Sequence, residues 1–172
     1  MASPMKLKIN IPVNGLTVKI PLIYSSGTPV ITVSWGGTGT VNPSDPLSYT
    51  YTYSGIYNIE VNVNTVLLGT YGSTLSVYST FNQNITEVVS WGTGLNIKSC
   101  NSAFYNASPN VSKLIAVAND LPSGVTDMSY MFYNCSLFNQ SLSFNTTSVT
   151  TMSFMFYGCK VFNSIIPFNT TT

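Results

Sequence analysis

The sequence predicts a mainly β protein, with an N-terminal antiparallel β-sandwich followed by a short solenoid. Three observations carry this reading. Apolar and polar residues alternate with period two across residues 6 to 90, the pattern of half-buried strands. Clusters rich in Gly, Pro, Asn and Ser punctuate those runs. The last part of the chain superposes on itself after a shift of 24 residues, and a period in the twenties marks a stacked repeat.

The strands follow in order. Leu7, Ile9 and Ile11 alternate with Lys8 and Asn10, and Leu16, Val18 and Ile20 with Thr17 and Lys19. Ile31, Val33 and Trp35 alternate with Thr32 and Ser34. The clearest pair is Tyr49/Tyr51/Tyr53 and Tyr57/Ile59/Val61/Val63, separated by Ser54, Gly55 and Ile56. This spacing predicts a hairpin, with Gly55 supplying the positive φ of a tight connection. Gly36-Gly37-Thr38-Gly39 and Pro43-Ser44-Asp45-Pro46 read as loops. Six or seven short strands with such turns argue for two packed antiparallel sheets.

In the second half, residues 125–148 (VTDMSYMFYNCSLFNQSLSFNTTS) align with 149–172 (VTTMSFMFYGCKVFNSIIPFNTTT). Matching pairs include Met128/Met152, Met131/Met155, Phe132/Phe156, Cys135/Cys159, Phe138/Phe162 and Phe144/Phe168. A degenerate copy over 97–124 is visible where AFYNAS parallels MFYNCS. Met128, Met131, Phe132 and Cys135 fall at i, i+3, i+4 and i+7, which predicts one face of a short helix. Phe138 and Phe144 then return the chain in extended structure, and the repeated Asn139/Asn163 is expected to form a buried hydrogen-bonded ladder. The division expected is a sandwich over residues 1–95 and a solenoid over 96–172.

Composition excludes whole function classes. Of 172 residues only 6% are charged, with six Lys, five acidic residues, no Arg and no His, while 62 are Asn, Ser or Thr. Soluble domains carry about 25% charged residues, so this surface is made of hydroxyls and amides instead. Six scattered Lys do not form the basic patch that nucleic-acid binding needs. With 44% hydrophobic and 13% aromatic residues the chain can fill a core, which argues against disorder. Asp45, Glu60, Glu87, Asp120 and Asp127 are never paired at catalytic or metal-ligand spacing. A nucleophilic cysteine would need a neighbouring base, and the chain has no His. The sequence is therefore read as no enzyme, with no catalytic, metal or cofactor-binding residues and no cofactor.

Cys100, Cys135 and Cys159 are odd in number and lack C-x-x-C spacing, which argues against a disulfide framework or zinc site. Coils about 4.8 Å apart would place the Cα atoms of Cys135 and Cys159 within disulfide range; stacked reduced thiols are the favoured reading. The N-terminal stretch lacks the apolar run of a signal peptide, and no segment has the length of a membrane span. Synthesis without a signal peptide and assembly in the cytoplasm are expected. Seven N-x-S/T sequons, at Asn84, Asn106, Asn110, Asn134, Asn139, Asn145 and Asn169, barely exceed chance in so Asn- and Thr-rich a chain; Asn139 is expected to be buried and unmodified.

Two resemblances add to this. The segments VSWGGTGT and YTYSGIYNIEVNV resemble polycystic-kidney-disease (PKD) domains, an immunoglobulin-like sandwich, over residues 28 to 68. Where that family has an acidic residue after its Trp, this chain has Gly36-Gly37-Thr38-Gly39, so a cation site is not implied. The C-terminal repeats resemble BspA-like leucine-rich-repeat surface proteins, whose units read approximately V-T-x-M-S-x-M-F-x-x-C/A-x-x-F-N. Those resemblances imply spacer or adhesive modules and surface display, without chemistry.

The Met128, Met131, Phe132, Cys135 and Phe138 set and its partners Met152, Met155, Phe156, Cys159 and Phe162 are expected as repeat core. Trp35 and Trp91, each in the context V-S-W-G, should close a strand with the ring on the core. Tyr130 and Phe154 share a position beside the core stripe and form the candidate contact surface. The function expected is structural: protein–protein contacts with subunits of a larger assembly, copies of itself included, as a minor capsid or surface component of a virus particle or at a cell surface. The alternative is a free-standing adhesin that binds a glycan or receptor through the solenoid face. Membrane insertion is not expected.

Overall fold

A computed structural model describes residues 2–24, 31–63, 67–72 and 78–168 of the chain. The architecture is mainly β, with eleven strands and one short helix among those residues. In chain order the strands are β1 (Met5–Ile11), β2 (Thr17–Lys19), β3 (Leu22–Tyr24), β4 (Ile31–Ser34), β5 (Gly39–Asn42), β6 (Asp45–Tyr51), β7 (Gly55–Val63) and β8 (Leu67–Tyr71). Helix α1 (Ser79–Asn84) precedes β9 (Ile85–Ser90), β10 (Leu95–Ser99) and β11 (Ala116–Val117). Asn169 and the three threonines after it lie outside the described residues.

Strand β1 is the centre of the fold. Its alternation buries Met5, Leu7, Ile9 and Ile11 at no more than 1% exposure, while Lys6 and Lys8 point outward. It lies between β7 and β9, antiparallel to both, in a five-stranded sheet of order β11-β9-β1-β7-β4. The outward lysines pair across the strands, Lys6 with Glu60 and Lys8 with Glu87. Exposed pairs of this kind contribute about 0–1 kcal/mol each; their value here is register, since a one-residue slip would turn every buried side chain outward. The remaining strands form two three-stranded sheets, β10-β8-β3 and β2-β6-β5. The ladders are not all antiparallel, because β10 pairs with β8, and β11 with β9, in parallel.

The expected hairpin between Tyr49/Tyr51/Tyr53 and Tyr57/Ile59/Val61/Val63 is not formed. Strand β6 pairs with β2 and β5, whereas β7 pairs with β1 and β4, so the chain passes from one sheet to another between them. Aromatic packing explains the change. Tyr51 is fully buried, stacks on Tyr57 at 4.4 Å and donates its hydroxyl to the Trp35 carbonyl. Trp35, just past β4, stacks on Tyr49 at 5.0 Å. These rings join faces of two different sheets, which an ordinary hairpin would place side by side.

The two halves share strands and a core. Both β10 and β11 come from beyond residue 94, yet each completes a sheet begun earlier in the chain. Tyr71 and Trp91, both 0% exposed, press edge-on against one another at 5.6 Å and meet Phe104 at 5.9 and 6.0 Å. The Trp91 indole N–H donates to the Ala118 carbonyl, and its backbone N–H donates to the Asp120 carboxylate. Trp35 and Trp91 thus each follow a strand with the ring in the core.

Gly72 fits into this junction without a side chain. Its φ is +128°, and a Cβ there would come within 2.4 Å of the Asn101 carbonyl and the Ala103 nitrogen. At Gly15, φ is +74° but nothing lies within 4 Å of a Cβ. The pair separates conformational strain from collision. Gly15→Ala is expected to cost about 1 kcal/mol, the left-handed penalty alone, and Gly72→Ala about 3 kcal/mol or more, because backbone must also move. Urea unfolding of both variants checks this; equal losses would mean that the close approach at Gly72 is absent.

Candidate contact surface

The repeats fold into three successive coils whose backbones lie side by side. Residues 98–106, 126–134 and 150–158 run parallel, with bridges at Ser99–Asp127 and Asp127–Thr151. The hydrogen bonds divide by sequence parity. In the first coil the N–H groups of Cys100, Ser102, Phe104 and Asn106 donate to the carbonyls of Asp127, Ser129, Met131 and Tyr133. In the second, those of Met128, Tyr130, Phe132 and Asn134 donate to Thr151, Ser153, Met155 and Tyr157. The odd-numbered N–H groups of Met131, Tyr133 and Cys135 instead close turns on Met128, Tyr130 and Phe132.

This alternation corrects the helix expected for Met128, Met131, Phe132 and Cys135. The segment is a run of turns rather than a helix. Ser102, Tyr130, Asn134 and Phe154 have φ of 60°, 57°, 60° and 57°. A helix would spend every N–H on its own carbonyls; a residue with positive φ at alternate turns rotates every second N–H out toward the neighbouring coil. The i, i+3, i+4, i+7 spacing still puts Met128, Met131, Phe132 and Cys135 on one side, all at 0% exposure with Phe138.

Side chains stack in columns at the same period. Phe104, Phe132 and Phe156 follow one another at 5.6 and 5.4 Å, and Tyr105, Tyr133 and Tyr157 at 5.0 and 4.9 Å. Phe138 stacks on Phe162, and Phe144 on Phe168. Tyr130 lies over Phe154 at 5.2 Å, so the two candidate contact residues do form a row. Offset aromatic pairs of this kind add about 0.5–1.5 kcal/mol each beyond their buried area.

Amide side chains bond the coils where the backbone does not. Gln140 exchanges two hydrogen bonds with the backbone of Val117. The Asn119 side chain accepts from the Ser143 N–H and the Asn139 side chain from the Asn163 N–H, each 24 residues on. Asn139 therefore does bond the next coil, but it is exposed, against the expectation that it is buried. A second, buried asparagine column went unnoticed in the sequence. Asn82 donates to the Tyr105 carbonyl, and Asn134 to the Asn106 carbonyl. Gly158 continues that column because a Cβ there would strike the Asn134 side-chain oxygen. Its signal was the alignment of Asn106, Asn134 and Gly158 at one repeat position.

The cysteines form no disulfide. The Cys135 thiol donates to the Phe104 carbonyl at 3.3 Å and the Cys159 thiol to the Phe132 carbonyl at 3.0 Å. Burial pushes the Cys135 thiol up to about 12 and the Cys159 thiol to about 11, and raises that of Cys100 as well. No group of three His, Cys, Asp or Glu among the described residues could hold a metal ion. No helix among them is long and apolar enough to cross a membrane.

Among the described residues no coil lies over the third, unlike the first two. Met155 is buried, but Met152, Phe156, Cys159 and Phe162 are only half-buried, while Phe154 and Tyr157 are each 57% exposed. Val161 and Ile165 are exposed beside them. Met152, Phe154, Phe156, Tyr157, Ile166 and Phe168 line a groove of about 450 Å³ on this end. Phe154 of the candidate pair belongs to this surface, whereas Tyr130 is covered by it.

Two measurements follow from the thiols and the buried hydroxyls. Under native conditions near pH 8, Cys159 is expected to react with an aromatic disulfide reagent slowly and first, and Cys100 and Cys135 only on unfolding. A rapid stoichiometric reaction of Cys135 would contradict its burial. Burial also raises Tyr51 and Tyr71, so these groups and the thiols hold protons in the fold that the unfolded chain releases earlier. Their contribution is complete below about pH 9 and is lost as pH rises from there. At the acid end, burial alone would raise Asp127, but hydrogen bonds from Asn101 and Ser129 outweigh it and hold the carboxyl low. Its contribution is present above about pH 4 and falls as it is protonated. Thermal melts across pH should show both shoulders, and Asp127→Asn should flatten only the acid one.

Comparison with known proteins returns one family. Residues 98–172 match the family described as Mycoplasma protein of unknown function, DUF285. No curated protein and no solved structure matches the chain. The stretch that is similar to DUF285 begins within β10 and contains all three coils.

Proposed function

We propose that the chain is a non-enzymatic contact module whose stacked repeats form a short solenoid, mounted on a sandwich-like base, and that the exposed apolar face of the third coil binds other proteins in a larger assembly. One observation carries this reading: the end coil presents Phe154, Tyr157, Val161 and Ile165 to solvent around an apolar groove. A contiguous exposed apolar surface of this kind marks a site of association. Lys160 is the one charged side chain among residues 149–168, and it bonds the Asn110 side chain off this face. Little charge therefore opposes close packing there. The chain has no His to serve as a base, and burial holds the thiols protonated, which weighs against nucleophilic chemistry.

The test compares two equally exposed apolar pairs. Phe154→Ser with Ile165→Ser removes the end surface; Tyr53→Ser with Ile56→Ser alters side chains 59% and 66% exposed on the other half. Sedimentation of extracts from the source cells reads how much of each sits in large assemblies. The first double variant is expected to lower that fraction about fivefold, a loss near 1 kcal/mol, and the second to leave it unchanged. An unaltered chain that sediments as a free monomer, or equal behaviour of the two variants, would overturn the reading.

A further inference from the structure

A second opening lies where β10 enters the first coil, and it is polar where the groove on the third coil is apolar. Leu95, Asn96, Asp120, Pro122, Ser123 and Gly124 line a cleft of about 300 Å³ there. Strand β10 alternates, so Leu95 and Ile97 turn into the core while Asn96 and Lys98 turn outward. Both outward side chains end over Gly124. A Cβ at that glycine would come within 2.6 Å of the Lys98 Nζ and 3.6 Å of the Asn96 Oδ1. Asp120 lines the cleft as well, its carboxylate fixed by two donors at the end of β9. The Ser90 hydroxyl donates to Oδ2 at 2.7 Å, and the Trp91 backbone N–H to Oδ1 at 3.1 Å. Each carboxylate oxygen accepts two hydrogen bonds, so one position on each stays open, and Asp120 is exposed.

Two charges without an ion-pair partner border this cleft. Lys6, Lys8 and Lys19 pair with Glu60, Glu87 and Asp45, while Lys113 and Lys160 donate to the side chains of Asn84 and Asn110. Among the described residues Lys98 has no such acceptor, and Asp120 has no lysine against it. A chain with only six lysines and five acidic residues thus brings an ammonium and a carboxylate to one cleft without pairing them. That pattern selects among small molecules. An anion would meet Lys98 and be repelled by Asp120, and a cation the reverse. A molecule with opposite charges at its two ends satisfies both. Volume sets its length: at ~30 Å³ per water the cleft holds about ten waters. A dipeptide of small residues has about that number of non-hydrogen atoms, and Leu95 and Pro122 offer it apolar contact. We propose that this cleft binds a zwitterion of dipeptide size, with its carboxylate on Lys98 and the Asn96 amide and its ammonium on Asp120. The site lies outside the third coil and does not rest on the contact function.

The probe is alanylalanine, titrated into the full chain while backbone amide resonances are followed by NMR. Signals from residues 92–96 and 120–124 are expected to shift saturably, with a dissociation constant of about 1 mM or lower. Acetylating the probe removes its ammonium, and amidating it removes its carboxylate. Each change should weaken binding about tenfold or more, because hydrogen bonds between charged groups are the strong ones. Two variants assign the ends. Lys98→Gln is expected to bind alanylalanine and its amide equally, and Asp120→Asn to bind the free and acetylated forms equally. Lys98 is exposed, so its substitution leaves the core untouched, and the asparagine keeps an acceptor for Ser90 and Trp91. Equal affinity for the free, acetylated and amidated probes would overturn the proposal, as would a titration with no saturable shift at these residues. Shifts centred on the groove of the third coil would overturn it too. So would acetate binding as tightly as the dipeptide, which would leave an anion on Lys98 alone.

Discussion

The repeats depend on how alternate backbone N–H groups are divided between the chain's own turns and the next coil. The first two coils spend their odd donors internally and their even donors on the next coil. That arrangement requires positive φ at Ser102, Tyr130, Asn134 and Phe154, of which none is glycine. A left-handed residue other than glycine is strained by roughly 1–2 kcal/mol. The strain is offset collectively, because the same turn places a phenylalanine, a methionine and a cysteine inside and completes four intercoil bonds. A coil with nothing beside it has only half of that compensation.

This dependence explains how the N-terminal half serves the repeats. It supplies the first coil with the neighbour that coil could not find by itself: Tyr71 and Trp91 take the place of an earlier aromatic pair, and Asn82 takes that of an earlier asparagine. Strands β10 and β11 extend sheets already built around β1. Ring contacts run from Trp91 through Phe104 into the column of Phe132 and Phe156. Burial falls off at the far end of that column, where Phe156 is half-buried and Phe154 exposed.

The chain's few charges fit the same scheme. Three of the six lysines pair with Glu60, Glu87 and Asp45 across strands. Between coils, amides and hydroxyls take over, as in Gln140 on Val117, Asn139 on Asn163, and Ser129 with Thr151. A neutral side chain that can both donate and accept suits stacked, identical positions, where repeated like charges would repel one another. The abundance of Asn, Ser and Thr is thus a consequence of repetition as much as of solubility.

The sequence by itself determined the strand alternation, the 24-residue period, the inward set of Met, Phe and Cys, and the core placement of Trp35 and Trp91. Each is a local or repeating pattern, and burial of apolar side chains reads such patterns directly. The tertiary structure alone decided that Tyr49 and Tyr57 belong to different sheets, because cross-sheet ring stacking outweighed a short connection. It alone decided that the M-x-x-M-F-x-x-C spacing is a run of turns, because helix and turn share that spacing and differ only in where the N–H groups go. It placed Asn139 at the surface and Asn134 inside, a choice between two asparagines that composition does not distinguish. The row of Tyr130 and Phe154 was legible from the repeat; that the first is half-buried and the second exposed depended on which of the described coils has a neighbour, a property no residue carries in its own sequence context.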